Sequence, residues 1–237
     1  MTTAMPRRMG VAILAGLALA LLAPAVSPNR GGEEKPAVRV YLPSDKEAGK
    51  KYADYAARWW QWAVAQPADK NPVVDMTGEL AGVGQSGPVW FLAGTFGGPP
   101  VKRTCTVPAG KELFFPVLNY VASIPLNGKT EKDLRAKLAS WKATPAELEL
   151  TIDGRKVPDL KKHFAESALF TFVGPEKGEI HPAFAGKHEA IAFGYWVLLA
   201  PLPPGRHTIH FRGRLNTADP NDLFETEVTY NLTVAAK

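Results

Sequence analysis

DMTGELAGVGQSGPVWFLAGTFGGPPVKRTCTVPAGKELFFPVLN, residues 75–119, is the stretch that decides the fold of this protein. It holds three apolar strand candidates, residues 88–95, 102–107 and 112–119, separated by glycine- and proline-rich turns. Short runs of β-branched and aromatic residues between such turns are typical of strands in a packed sheet. Because proline cannot donate to a sheet ladder, Pro116 predicts an edge strand or a bulge in the third run. The stretch therefore predicts the centre of a β-sheet core.

Outside this stretch the pattern alternates between further short strands and two helices. Aromatic residues spaced three and four apart predict a helix over residues 45–66, with Ser44 as N-cap and Glu47 completing a capping box. A second amphipathic helix is predicted over residues 131–141, capped by Thr130. About nine strands at short spacing favour an antiparallel β-sandwich, immunoglobulin-like or jelly-roll-like, with the two helices flanking it.

The N-terminus has the three parts of a secretory signal peptide. Arg7 and Arg8 form a basic region, residues 10–22 are apolar, and Ala23 to Ala25 offer a small-residue cleavage site. As a helix the apolar run reaches about 20 Å, too short for a hydrocarbon core of about 30 Å. The predicted organisation is a signal peptide over 1–25, a disordered tether over 26–36 and a single β-sandwich domain over 37–237. We therefore expect a secreted or periplasmic protein with no membrane span after signal cleavage.

Charge and cysteine content narrow the classes of partner. The formal net charge of +5 falls to +3 without Arg7 and Arg8, and the basic residues are dispersed along the sequence. A nucleic-acid-binding protein needs a clustered basic face, so no nucleic-acid partner is predicted. Cys105 is the single cysteine and excludes an intramolecular disulfide. The alternation around it predicts a buried small hydrophobe; a reactive thiol or a bridge to a second protein are the alternatives.

Four polar residues mark the rim of the central stretch: Asp75, Glu79, Arg103 and Asn119. A carboxylate close to Arg103 favours a structural ion pair that holds the loop onto the sheet. The alternative is a cleft in which carboxylates perform acid–base chemistry, with Asp75, Glu79, Arg103 and His181 as catalytic candidates. No serine or cysteine lies in a context typical of a catalytic nucleophile.

Three tryptophans, Trp59, Trp60 and Trp62, lie close together on the first predicted helix. At helical spacing such residues are typical of packing against a sheet, and ligand stacking is the alternative. Trp60 falls on the flank of the apolar stripe and is the best candidate for exposure. Trp60 and Asn119 are therefore the predicted ligand-binding residues.

The histidines give no clear metal motif. His181, His188 and Glu189 flank a glycine-bearing loop and are weak metal-ligand candidates, but their spacing matches no zinc motif. His207 and His210 lie three apart on a predicted strand, so their side chains should point to opposite faces. We predict no metal site and no cofactor.

Three sequence motifs resemble those of a known family: GQSGPVWFLAG (84–94), RTCTVPAGKELFFPVLN (103–119) and YWVLLAPLPPGRHTIHFRG (195–213). Together they resemble a family of uncharacterised exported bacterial proteins. The resemblance implies export and a β-rich fold, and it implies no activity. In that family a second cysteine often lies near positions matching Leu80 and Ala81. Its lack here implies a loop that packs on the strand without a covalent tie. The LPPGRHTIHFRG motif is also similar to the final hairpin of immunoglobulin-like and fibronectin-like modules. This similarity implies a fold and no function.

These observations favour one function and leave an alternative. The export signal, the many aromatic residues and the mild charge favour a secreted, non-enzymatic β-sandwich that binds a glycan or a protein partner outside the cytoplasm. The alternative is a secreted hydrolase or lyase with its site at the rim of residues 75–119.

Overall fold

The computed structural model describes residues 38–177, 180–217 and 223–236. The predicted signal peptide, its cleavage site and the tether concern residues 1–36, which lie outside the described residues. The described residues belong to one compact unit, Ala37–Lys237. Within them, each helix is too short or too polar to cross a membrane.

The described part of the protein is mainly β, with two α-helices. The helices are α1 (Gly49–Ala65) and α2 (Glu131–Ala143). The strands are β1 (Val40–Tyr41), β2 (Val89–Phe91), β3 (Val101–Val107), β4 (Glu112–Ile124), β5 (Ala146–Ile152), β6 (Arg155–Lys156), β7 (Phe164–Glu166), β8 (Phe170–Gly174), β9 (Gly186–Leu199), β10 (Gly205–Leu215) and β11 (Phe224–Val234). Short 3₁₀ helices cover Ala68–Lys70, Leu160–His163 and Pro182–Phe184.

The strands form two packed sheets, which confirms the predicted β-sandwich with flanking helices. Sheet A has the order β1-β9-β4-β2, with β7 and β8 also beside β9; sheet B has the order β3-β11-β10-β5-β6. Both sheets are mixed, because β2 runs parallel to β4 and β3 runs parallel to β11. The polypeptide leaves sheet A after β2, contributes β3 to sheet B, and returns as β4. The turn signal at residues 108–111 indicates a reversal but not that the two strands belong to different sheets.

Helix α1 begins later than its sequence pattern predicted. Ala48 occupies its N-cap position without a side-chain hydrogen bond, so the predicted cap at Ser44 is wrong. The cause lies one residue on: the carboxylate of Asp45 accepts from Leu42 N at 2.9 Å, and residues 43–48 form turns. Helix α2 does have its predicted cap, because Thr130 and Asp133 form a reciprocal capping box.

Sheet A is covered on both faces by apolar clusters. The first cluster lies between α1 and sheet A, where Phe114 stacks on Trp196 with ring centroids 5.2 Å apart. The second lies between the two sheets and includes Phe115 stacked on Phe211, also at 5.2 Å. The third surrounds α2, where Trp141 packs edge-on against Phe193. Burial on both faces explains why the sheet A strands read as continuous apolar runs.

A bulge in β4 sets which of its side chains face which cluster. The β4–β9 register shifts between Pro116 and Leu118, so the bulge predicted from Pro116 is confirmed. Val117 and Leu118, neighbours in sequence, both face the side of sheet B and α2. Alternation then resumes, and Asn119 and Val121 lie on the α1 side. The bulge therefore decides the orientation of Asn119.

We predict that Gly213→Ala destabilises the fold by about 1–3 kcal/mol, the usual cost of overpacking. A Cβ at Gly213 would collide with the backbone oxygen of Val117 at the bulge, where the two sheets approach closely. Gly82→Ala is the matched control, because its Cβ would meet its nearest neighbour, the Trp90 ring, at 3.8 Å. Urea denaturation measures both. An equal loss for the two variants would contradict the prediction.

Candidate functional site

A cavity of about 680 Å³ lies along one edge of β4. Strand β4 pairs with β9 over its length but with β2 only at residues 112–114. Among the described residues, no strand pairs with the other edge of β4 over residues 116–121. Pro116, Asn119, Tyr120 and Val121 from this edge line the cavity. The cavity therefore reaches both faces of sheet A, where the first and third apolar clusters end.

The cavity wall is mostly apolar. Seven rings of Trp, Tyr and Phe contribute to it: Trp59, Trp60, Phe96, Tyr120, Trp141, Phe184 and Phe224. Phe96 and Leu126 are lining residues that are 43% and 45% exposed, so apolar surface continues to the mouth. A volume of this size, walled by rings and with few polar groups, is typical of small-molecule sites.

Two polar groups in the wall lack partners. Asn127 is satisfied by the protein, since its Oδ1 accepts from Ser123 N at 3.1 Å and its Nδ2 donates to Tyr120 Oη at 3.2 Å. Asn119 Nδ2 and Trp60 Nε1 are buried and have no hydrogen-bond partner among the described residues. Buried polar groups are normally paired, so these two nitrogens are exceptions in the wall.

The backbone of β4 adds polar groups to the same wall. Ser123 N points away from β9 and donates to Asn127. In an antiparallel pair every second residue shares that orientation, so Val121 and Asn119 also direct N–H and C=O groups to the cavity edge. The pairing on β9 supports this orientation. Ala192 lies opposite Val121, and its N–H and C=O groups point away from β4 and bond to Ser167.

Arg103 lies directly behind this wall and is fully buried. The predicted ion pair with a carboxylate is wrong: among the described residues its guanidinium meets only carbonyl and hydroxyl oxygens. Nε donates to Asp75 O at 2.7 Å, Nη2 to Val73 O at 2.9 Å, and Nη1 to Ala93 O, Gly94 O and Tyr230 Oη at 2.7, 3.0 and 2.9 Å. Val73 and Gly94 line the cavity, so Arg103 fixes the backbone of its wall.

The two predicted rim carboxylates do not face the cavity. Asp75 folds onto its own loop and accepts from Thr77 N and Oγ1, Gly78 N and Leu80 N at 2.8–2.9 Å. Partial burial alone would raise the pKa of Asp75, but these hydrogen bonds outweigh it and hold that pKa below its ordinary value. Glu79 is exposed. Neither residue is part of the cavity wall.

His181 is the one predicted catalytic residue in the wall. Its Nδ1 accepts from Ala183 N at 3.1 Å and so caps the 3₁₀ helix Pro182–Phe184. The structure therefore does not bring Asp75, Glu79, Arg103 and His181 into one cleft. Arg103 is sealed by backbone oxygens, and Asp75 is engaged within its loop.

Both predicted ligand-binding residues, Trp60 and Asn119, line the cavity. The exposure expected for Trp60 is wrong, since only 5% of it is exposed. Its ring packs edge-on against Trp59 at 5.3 Å and Phe184 at 5.8 Å. Phe184 comes from the connection between β8 and β9, and nothing in the pattern of α1 indicates that this connection covers its flank.

The weak metal candidates are separated by strand alternation. His188 is buried and stacks on Phe172, with its Nε2 2.9 Å from Ala185 O, whereas Glu189 is exposed on the opposite face of β9. Among the described residues no group of three His, Cys, Asp or Glu side chains could hold a metal ion. His207 and His210 point to opposite faces of β10, as predicted: the first is buried and the second is partly exposed.

Cys105 is half-buried at the margin of the second cluster. Burial raises the pKa of its thiol to about 11, partly offset by the Arg103 charge, so little thiolate forms at neutral pH. The loop before β2 lies against β3 beside it without a covalent tie, through Thr104 N donating to Thr77 O at 2.7 Å.

Phe96, Leu126 and Lys137 are among the wall residues that the sequence pattern did not predict. Phe96 had a usable signal, because an aromatic residue beside two glycines in a loop has no obvious place in the core. Lys137 lies on α2 and is exposed. Its ammonium lies 5.5 Å from the centre of the Tyr120 ring, at the cavity mouth.

Comparisons with known proteins assign no family. No protein-family model and no curated protein matches the sequence. A protein from the structure of PbICP-C in complex with falcipain-2 shares 7% identity at a TM-score of 0.24, and the match covers 62% of this protein and 99% of that one. Amebosin in solution shares 9% identity at a TM-score of 0.20, and the match covers 57% of this protein and 100% of amebosin. Likenesses this remote do not bear on function.

We predict that Arg103→Met destabilises the protein by about 3–5 kcal/mol, as expected when one partner of a buried charged network is removed. The methionine retains the apolar stem but leaves the oxygens around it unpaired. Lys102→Met is the control, on the neighbouring exposed position of β3, and should cost less than about 0.5 kcal/mol. Urea denaturation followed by tryptophan fluorescence compares them. A loss below about 1 kcal/mol for Arg103→Met would show that the network is not a major source of stability.

Proposed function

We propose that this protein is an exported binding protein that takes a small, largely apolar organic molecule into the cavity beside β4 and does not transform it. The observation that carries the proposal is the cavity itself, with seven Trp, Tyr and Phe rings and two buried nitrogens that lack partners among the described residues. An apolar molecule gains free energy on leaving water for such a wall, at roughly 25 cal/mol per Å² of apolar surface buried. The unpaired nitrogens give the site a means of selecting its ligand.

The other sequence hypotheses receive less support. A hydrolase or lyase at the rim was expected to use Asp75, Glu79, Arg103 and His181 together. His181 lines the cavity, but Asp75 is engaged within its own loop, Arg103 is fully buried and Glu79 lies outside the wall. A glycan-stacking surface needs an open ring face, whereas Trp60 is packed between Trp59 and Phe184. A cavity also fits a small molecule better than a protein partner, which requires a broad surface.

The export part of the proposal rests on Arg7, Arg8 and the apolar run that follows. Expression with the full N-terminus in a bacterial host should give a periplasmic or secreted protein that begins after Ala25. Separation of the compartments and N-terminal sequencing measure this. A protein that keeps residues 1–25 in the cytoplasmic fraction would contradict export. Replacing Arg7 and Arg8 by Glu should reduce export, since the basic region is needed to orient the signal.

The binding part is tested by filling the cavity. Three probes share one naphthalene body and differ in their polar group: naphthaleneacetate, naphthaleneacetamide and naphthylethylamine. Ala183→Phe adds a ring to the wall and should weaken every probe that binds by about tenfold or more, equivalent to about 1.4 kcal/mol. Ala139→Phe, on the exposed side of α2, should leave binding unchanged. Titration calorimetry supplies the affinities.

Failure of all three probes to bind the unaltered protein would count against a cavity for apolar molecules. Equal weakening by Ala183→Phe and Ala139→Phe would place the binding elsewhere on the molecule.

A further inference from the structure

Two side chains of the cavity wall carry a buried donor that has no partner among the described residues. Six buried side-chain nitrogens among the described residues lack partners, and two of them, Trp60 Nε1 and Asn119 Nδ2, belong to lining residues. The indole nitrogen can only donate, and so can an amide nitrogen. His181 adds a third donor, because its Nδ1 accepts from Ala183 N and the neutral ring then carries its proton on Nε2.

The charged side chain among the described residues of the cavity wall is positive. Lys137 lines the cavity, and no aspartate or glutamate does so among the described residues. The Lys137 ammonium contacts the face of the Tyr120 ring and has no carboxylate within ion-pair distance in the described part of the protein. An exposed ammonium near a low-dielectric cavity attracts an anion and repels a cation.

On the basis of the proposed function, we infer that the natural ligand is an organic acid: an aromatic or aliphatic body with a carboxylate head, held by Asn119 and Trp60 and attracted by Lys137. Burying a carboxylate among apolar groups is costly unless donors surround it. The wall supplies donors that the protein itself leaves unused. Hydrogen bonds to a charged acceptor are also stronger than those to a neutral one, so the acid head gains most from this arrangement.

The same three probes distinguish the contribution of the apolar body to the affinity from that of the polar head group. All three present one apolar body to the rings, but only naphthaleneacetate offers a charged acceptor. We expect it to bind the unaltered protein about tenfold more tightly than naphthaleneacetamide, and more tightly still than naphthylethylamine, as measured by titration calorimetry. The acetamide is nearly isosteric with the acid, so this ratio reports charge and not shape.

Asn119→Leu tests the donor directly. The substitution should remove most of the preference for the acid over the acetamide, because the lost bond is stronger to the charged head than to the neutral amide. Asn127→Leu is the matched control: it lies in the same wall, but its amide already serves Ser123 and Tyr120. We expect this control to lower stability and keep the acid preference.

Lys137→Met tests the charge. It should weaken the acid by roughly two- to fivefold, a value suited to an exposed charge, and the difference should shrink as salt is added. Lys132→Met, an exposed position on α2 outside the wall, should have no effect. Lys137→Arg should retain the preference.

Each outcome decides between the two proposals. Equal binding of the acid and the acetamide, or tighter binding of the acetamide, would overturn the acid inference and leave the cavity function standing; the backbone groups at the free edge of β4 would then govern selectivity. An acid preference that survives Asn119→Leu unchanged would also overturn it. Binding by none of the probes would overturn the cavity function and the acid inference together.

Discussion

The arrangement around Arg103 is the constraint on which the rest of this fold depends. Its guanidinium is a buried cation, and isolated buried charges are among the most costly features a protein can contain. Here the charge is dispersed over four backbone carbonyls and the Tyr230 hydroxyl. Burial raises the pKa of Tyr230, so the phenol remains neutral and can both accept from Arg103 and donate to Ala93 O. This network joins strands β3 and β11 of sheet B to the segments that wall the cavity.

The network also fixes the backbone of part of the cavity wall. A void beside an apolar core tends to collapse, because its lining atoms lose dispersion contacts. Arg103 holds Val73 O and Gly94 O in fixed positions through hydrogen bonds of 2.9 and 3.0 Å. The backbone at Val73 and Gly94 therefore cannot move into the cavity without breaking its hydrogen bonds to Arg103.

Sequence patterns identified features that depend on local chemistry. The bulge at Pro116, the cap at Thr130 and the opposite faces of His207 and His210 each follow from one residue or one spacing. Patterns failed where a distant element decided the outcome. The exposure expected for Trp60 was overruled by Phe184, and the carboxylate expected for Arg103 was replaced by carbonyls, which every residue carries and which leave no trace in sequence. The predicted start of α1 was wrong for a local reason: residues 43–48 form turns, in which Asp45 accepts from Leu42 N.

The parallel pairing of β3 with β11 has a consequence for the order in which the molecule is completed. Tyr230 lies 127 residues after Arg103, its partner. Contacts between residues so distant form late, since the intervening loop must first close. A nascent polypeptide that lacks its last strand therefore has Arg103 without its Tyr230 partner, and it lacks the part of the cavity wall that β11 supplies. A truncation after Thr226 would keep every lining residue in the sequence, yet it would delete Tyr230 and leave the wall without the strand that supports it.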